Sequence, residues 1–220
     1  MDGTLVETEQ YWGEAMFALA GELGGTMSAA ARERTVGTSM RVAMQVLYAD
    51  LGVDRGEDQL AADSHWVEER TATLMAAGGI AWRPGARELL TAVRAAGLRT
   101  ALVTTTPRRL AALVLERIAD DLGGDPFDVT VCGDEVPARK PDPAPYLQAM
   151  AALDVEAAAA VVIEDSLVGV TAGLASGAAV VGVPSLQPLE PQPGLLIRRS
   201  LEGLRVQDLL ALTGDRLAVG

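Results

Sequence analysis

Histidine and cysteine are almost absent from this 220-residue chain: His65 and Cys132 are the only ones. A single cysteine excludes an intrachain disulfide and fits a reducing, cytosolic compartment. A single histidine leaves little room for a serine or cysteine nucleophile, which ordinarily needs a neighbouring base. Aromatic residues make up only 4% against 49% hydrophobic, so the core must be built from Ala, Val, Leu and Met. Basic charge is short as well. Eighteen Lys and Arg against thirty Asp and Glu give a formal charge of −12, which disfavours nucleic acid or an anionic membrane as a partner. No apolar run nears the ~20 residues needed to span a bilayer, and no basic stretch leads into an apolar one at the N-terminus. Neither an anchor nor a signal peptide is expected. The size suits one globular domain, or a core carrying a smaller insert, and a monomer is the expected state.

What is present falls into two halves of different rhythm. From Glu7 to about Gly79 the pattern is helical. Tyr11, Ala15, Met16, Leu19 and Leu23 recur at three- and four-residue steps before Gly24-Gly25, as an amphipathic helix with a glycine terminator should. Ser28 and Ser39 are placed to cap the next two helices, and a longer one is expected before Gly78-Gly79. After Pro84 short β-branched runs alternate with helical segments. The runs are residues 98–106, 128–133, 159–165 and 179–184. Near-continuous apolar strands separated by helices predict a parallel sheet covered on both faces, a doubly wound α/β core. The expected division is therefore residues 1–8 and 80–220 for the core and 9–79 for an inserted helical cap.

In an open α/β sheet, ligands collect at the carboxyl ends of the strands. The polar residues closing the apolar runs are Asp2-Gly3-Thr4, Thr104-Thr105-Thr106, Lys140 in ARKPDP, and Glu164-Asp165. That set suits phosphoryl transfer. Paired carboxylates offer hard oxygen ligands to Mg²⁺, a lysine and hydroxyls can hold phosphate oxygens, and Asp2 can act as general acid and base. A nucleophile is missing from it. Each residue also has a plain structural reading: Asp-Gly forms turns, Ser166 after the acidic pair is a helix cap, and Cys132 is a small core residue. His65, beside Trp66, is a surface or partly packed residue. Gly169, Gly173 and Gly177 recur every fourth residue, a spacing that predicts close helix-to-sheet packing.

The order DGTLVET, LVTTT, ARKPDP, IEDS resembles the haloacid dehalogenase superfamily, in the branch with a helical cap inserted after the first strand, and the likeness spans essentially the whole chain. The resemblance implies a Rossmann-like core, Mg²⁺, a small phosphorylated metabolite as substrate and an aspartyl-phosphate intermediate. It assigns Asp2 as acid/base and, through its backbone carbonyl, a metal ligand. Thr104 matches the phosphate-binding hydroxyl, with Thr105 beside it, and Lys140 the lysine of the third motif. Glu164 and Asp165 match the acidic pair holding Mg²⁺. The nucleophilic Asp of the pattern would stand immediately before Met1, at the end of a first strand. The expectation is thus a start upstream of Met1, and an inactive chain as written.

Asp2 favours a phosphatase over a dehalogenase. A sugar phosphomutase of the β-phosphoglucomutase kind is the alternative by the same resemblance, but where it uses a histidine this chain has Trp12. Where it uses a cap arginine there is Met40, with Arg41 one step later. Tyr11, Trp12 and Arg41 are the expected substrate contacts from the cap. A noncatalytic remnant that binds phosphate, metal or a protein is a further alternative.

Overall fold

In the computed structural model, which describes residues 1–217, four helices come first: α1 (Glu9–Glu22), α2 (Ala29–Thr35), α3 (Met40–Leu51) and α4 (Glu57–Gly78). The serine caps form as their positions predict. The Ser28 hydroxyl accepts the amide of Ala31 at 3.1 Å and that of Ser39 the amide of Val42 at 3.4 Å, satisfying amides that a helix start leaves without a partner. One apolar cluster joins the four helices, with Met16 and Leu19 of α1, Ala31 of α2, Met44 and Leu47 of α3 and Val67 of α4 among its buried members.

The chain enters and leaves this helical half side by side. Glu7 N–H donates to the Ala81 carbonyl at 2.8 Å, and Arg83 N–H donates to that of Leu5 at 2.8 Å. The two linkers form a short antiparallel ribbon, with Val6 opposite Trp82 and an Arg83–Glu7 ion pair at 2.5 Å.

The remainder alternates helix and strand: α5 (Ala86–Ala95), β1 (Ala101–Val103), α6 (Arg108–Leu122), β2 (Val129–Val131), α7 (Ala144–Ala152), β3 (Val161–Glu164), α8 (Leu167–Ala175), β4 (Ala179–Gly182), β5 (Leu195–Ile197) and α9 (Val206–Leu217). Every strand pairing is parallel. β4 lies between β3 and β5 and is buried throughout. Its Val180 packs with α7 and α8 residues such as Met150 and Val170, while Val181 packs with Leu89 of α5 and Leu209 of α9. Both faces are therefore covered, as the unbroken apolar runs require. The strands are shorter than those runs, whose outer residues lie outside the paired segments. β5 was not foreseen: it follows a proline-rich connection, and its Leu-Leu-Ile carries too short a pattern to stand out.

The parallel strands fall into two groups, β1-β2 and β3-β4-β5. Between β1 and β3 runs an apolar cavity of about 400 Å³, walled by Leu102, Val162, Tyr146, Met150 and Leu5 among others. No strand among the described residues lies in it.

The glycine series divides: Gly177 lies beyond the end of α8, at φ +86°, and the two glycines inside the helix have different reasons. A Cβ on Gly173 would sit 3.0 Å from Val162 Cγ1 and 3.1 Å from Val180 Cγ2, which is the expected close packing on the sheet. On Gly169 it would instead strike the Glu164 carboxylate, at 2.1 Å. The Gly173→Val variant should lose about 1–3 kcal/mol of stability through overpacking, read as a lower urea midpoint. An unchanged midpoint would mean that α8 does not approach the sheet this closely.

Candidate active site

The site begins with a tight turn. The Met1 carbonyl accepts the amide of Leu5 at 2.8 Å, and Gly3 adopts φ +69°, a conformation that glycine takes without strain. This turn presents the Asp2 carboxylate to three donors. Thr8 Oγ1 reaches Oδ1 at 2.5 Å, Trp12 Nε1 approaches the same oxygen at 3.4 Å, and Thr106 Oγ1 reaches Oδ2 at 2.8 Å. Asp2 is thereby fixed from α1 on one side and from the loop after β1 on the other.

That loop holds the threonine run. Thr104 follows β1, is 5% exposed, and its hydroxyl accepts the amide of Thr106 at 3.2 Å. Both of these residues and Thr105 line a cavity of about 80 Å³, together with Asp2, Lys140, Glu164 and Asp165. It has room for several water molecules.

Lys140 and Glu164 form a buried ion pair at 2.6 Å, with side chains 4% and 7% exposed. Lys140 Nζ also donates to the Val103 carbonyl at 3.0 Å and lies 4.6 Å from the centre of the Tyr146 ring. Burial pushes the Glu164 carboxyl up, but the Lys140 ammonium, the N-terminal ammonium and the hydrogen bonds from Lys140 and Tyr146 together outweigh it and bring the pKa down to about 2. Glu164 Oε1 accepts from Lys140 and from Tyr146 Oη at 2.5 Å; Oε2 accepts from the Asp165 amide and Ser166 Oγ. Four donors fill the roughly four lone-pair positions of a carboxylate. Expected to bind metal, Glu164 is here the anchor of Lys140, and Gly169 is small because this carboxylate occupies the space.

Asp165 differs. Thr4 Oγ1 donates to its Oδ1 at 2.6 Å, while among the described residues no donor meets Oδ2. Oδ2 lies over the Gly3 backbone, 2.2 Å from where a Cβ would stand. Burial, and then the nearby Glu164 charge, push its pKa up to about 7. An anionic oxygen held without a donor beside the Asp2 turn is the kind of group a divalent cation would stabilise. Among the described residues no cluster of three acidic, His or Cys side chains could hold a metal. Mg²⁺ needs none, since it commonly takes one or two carboxylates and completes its shell with water and phosphate. The residue with an oxygen open to such an ion is Asp165.

Of the three cap residues expected at the substrate, the structure brings in one. Trp12 lines the cavity. The Tyr11 hydroxyl instead bonds the Gly79 carbonyl at 2.8 Å beside the linker ribbon. Arg41 is paired with Glu57 on the surface, the two side chains 51% and 72% exposed, and the preceding Met40 takes the place on the cavity wall. Sequence reasoning stopped one residue late in that loop. It also missed Thr8, Glu9, Arg32 and Tyr146, and gave Thr106, named within the threonine run, no role of its own. Thr8 and Thr106 sit inside the motif runs and were open to notice. Arg32 carries no local signal.

Residues 1–177 match the family of haloacid dehalogenase-like hydrolases. The chain is 34% identical over 191 residues to protein CbbY of Rhodobacter capsulatus, covering 84% of this chain and 83% of that one. It is 33% identical over 177 residues to the phosphorylated carbohydrates phosphatase of Thermotoga maritima, covering 80% and 79%. In structure it is similar to CbbY from Rhodobacter sphaeroides in complex with phosphate, with a TM-score of 0.81 at 29% identity, covering 95% of this chain and 96% of that one. Four motifs in family order, meeting around one cavity of a parallel α/β core, and a match over 177 residues place this chain in the haloacid dehalogenase-like hydrolase family.

Proposed function

We propose that the chain is a Mg²⁺-dependent phosphatase that hydrolyses a small phosphorylated sugar or related metabolite through an aspartyl-phosphate. The observation that carries this reading is the convergence of Asp2, Thr104, Lys140 and Asp165 on one cavity, with Asp2 held at both oxygens. Asp2, oriented by Thr8 and Thr106, protonates the leaving oxygen and then deprotonates the attacking water. Thr104, Thr105 and Lys140 hold the phosphoryl oxygens, Lys140 being fixed in place by Glu164. Asp165 and the Asp2 carbonyl hold Mg²⁺, which, when bound, neutralises charge on the transferring group. Residues 9–79 act as a cap whose Trp12 and Met40 face the substrate. The relatives' names, one of them a phosphatase of phosphorylated carbohydrates, support the substrate class.

The reading also requires an attacking carboxylate two positions before Asp2. The apolar cavity between β1 and β3 supports it, since a parallel strand set there would join the two sheets and end beside the turn at Asp2. A phosphomutase reading is weaker: Trp12 occupies the place of its histidine, and Arg41 is engaged with Glu57 away from the cavity.

A chain extended upstream of Met1 by an apolar strand ending in Asp should hydrolyse p-nitrophenyl phosphate with Mg²⁺ and stop on chelation, whereas the 220-residue chain should show no turnover. Equal activity of both would refute the placement of the nucleophile. In the extended chain Asp2→Asn should lower kcat by about 10²- to 10⁴-fold, with folding checked by circular dichroism. Incubation with glucose 1-phosphate and glucose 1,6-bisphosphate should yield inorganic phosphate; net formation of glucose 6-phosphate would favour the mutase.

A further inference from the structure

The wall of the cavity contributed by the helical half carries an ion pair that the proposed chemistry does not use. Arg32 Nη2 donates to Glu9 Oε2 at 2.7 Å and to the Glu9 carbonyl at 2.9 Å, and Nη1 donates to Thr35 Oγ1 at 3.0 Å. Both side chains are only 12% exposed, and both line the cavity with Asp2 and Lys140. Glycine at position 13 makes room for them, since a Cβ there would lie 3.0 Å from Arg32 Nε.

Two consequences follow for a bound molecule. The first is charge. The ionisable groups of the lining residues are Arg32, Lys140 and the Met1 α-ammonium against Asp2, Glu9, Glu164 and Asp165, three cations against four anions. A divalent cation brings that sum to +1 and a bound phosphate dianion takes it to −1, so a second anionic group enters a cavity that is already negative. Arg32 is committed to Glu9 and Lys140 to Glu164, while Arg41 is bound outside by Glu57. A second anionic group would meet the Glu9 carboxylate, and the Met1 ammonium is the one lining cation without an ion-pair partner among the described residues. The second consequence is hydrogen bonding. Glu9 Oε1 receives no donor among the described residues, so an acceptor stands on the wall where a substrate hydroxyl can reach it, next to the apolar surfaces of Trp12, Met16 and Met40.

We propose that the Glu9–Arg32 pair selects phosphomonoesters of neutral polyhydroxy compounds, sugars or sugar alcohols, against those carrying a carboxylate or a second phosphate. This rests on the phosphatase reading above and narrows its substrate class. Thr35 holds the guanidinium in place, and Glu9 both accepts from the hydroxyl and repels the wrong charge.

The test is calorimetric, on the 220-residue chain with Mg²⁺ present, using inorganic phosphate, sorbitol 6-phosphate, phosphoglycolate and fructose 1,6-bisphosphate. Sorbitol 6-phosphate should bind about tenfold more tightly than inorganic phosphate, the worth of one hydrogen bond to a charged group. Phosphoglycolate and the bisphosphate should bind no better than phosphate. In Glu9→Gln, which takes the carboxylate charge away from the guanidinium and removes the repulsion, the affinity ratio of sorbitol 6-phosphate to phosphoglycolate should fall by about tenfold or more, while Arg41→Ala should leave that ratio where it was. Tighter binding of phosphoglycolate or the bisphosphate by the unmodified chain would overturn the proposal, as would an unmoved ratio in Glu9→Gln. Failure of all four ligands to bind would instead bring down the phosphatase reading on which it rests.

Discussion

One ammonium group ties the core together. Lys140 Nζ bonds the carbonyl that ends β1 and the carboxylate that ends β3, and so spans the interval between two sheets that share no backbone ladder. A charge buried in this way is tolerated only when its partners are complete, and removal of one partner typically costs ~3–5 kcal/mol. Here they are complete: Glu164 in turn is closed by Tyr146, Ser166 and its neighbour's amide. The arrangement orders the loop after β2, the start of α8 and the threonines after β1 around a single point. The glycine at 169 and the serine cap of α8, donating to Glu164 and accepting from the Gly169 amide, both follow from making room for that point.

The two acidic neighbours at the end of β3 show how adjacency in sequence can divide roles. Glu164 is the last residue of β3 and Asp165 the first beyond it, and their environments differ accordingly. Glu164 faces a lysine and is held ionised; Asp165 faces a glycine turn with one hydroxyl donor and is pushed up to about 7. From the letters Glu-Asp alone the two look interchangeable, and both were expected on the metal. Only the side-chain surroundings separate an anchoring carboxylate from one with an oxygen left for a cation.

Much of the fold was legible because its signals are local. Ser28 and Ser39 mark helix starts by the same rule that places them there, and valine runs such as residues 179–183 announce a strand buried on both faces. The motif residues of the core were legible too, since each stands where an apolar run stops. What escaped was whatever depends on distant packing. Arg41 and Met40 are consecutive on a helix start, and which of them turns to the cavity is decided by Glu57, sixteen residues away. Arg32 pairs with Glu9 across twenty-three residues, with nothing in either neighbourhood to announce the other. The division of the sheet into two groups was likewise invisible, because each run reads as a strand whatever lies beside it.

The linkers that cross between the two halves are bonded to one another, and this limits how the helical half can move. A two-stranded ribbon bends about an axis across its face far more readily than it stretches or shears, so the four helices should swing as one body about one axis. Thr8 lies at the far end of that ribbon and Asp2 at its near end, joined by a hydrogen bond. Rotation of the helical half would therefore pull on the Asp2 carboxylate itself. On the proposed reading of Asp2, access to the site and the readiness of its proton-transfer group are then a single mechanical coordinate.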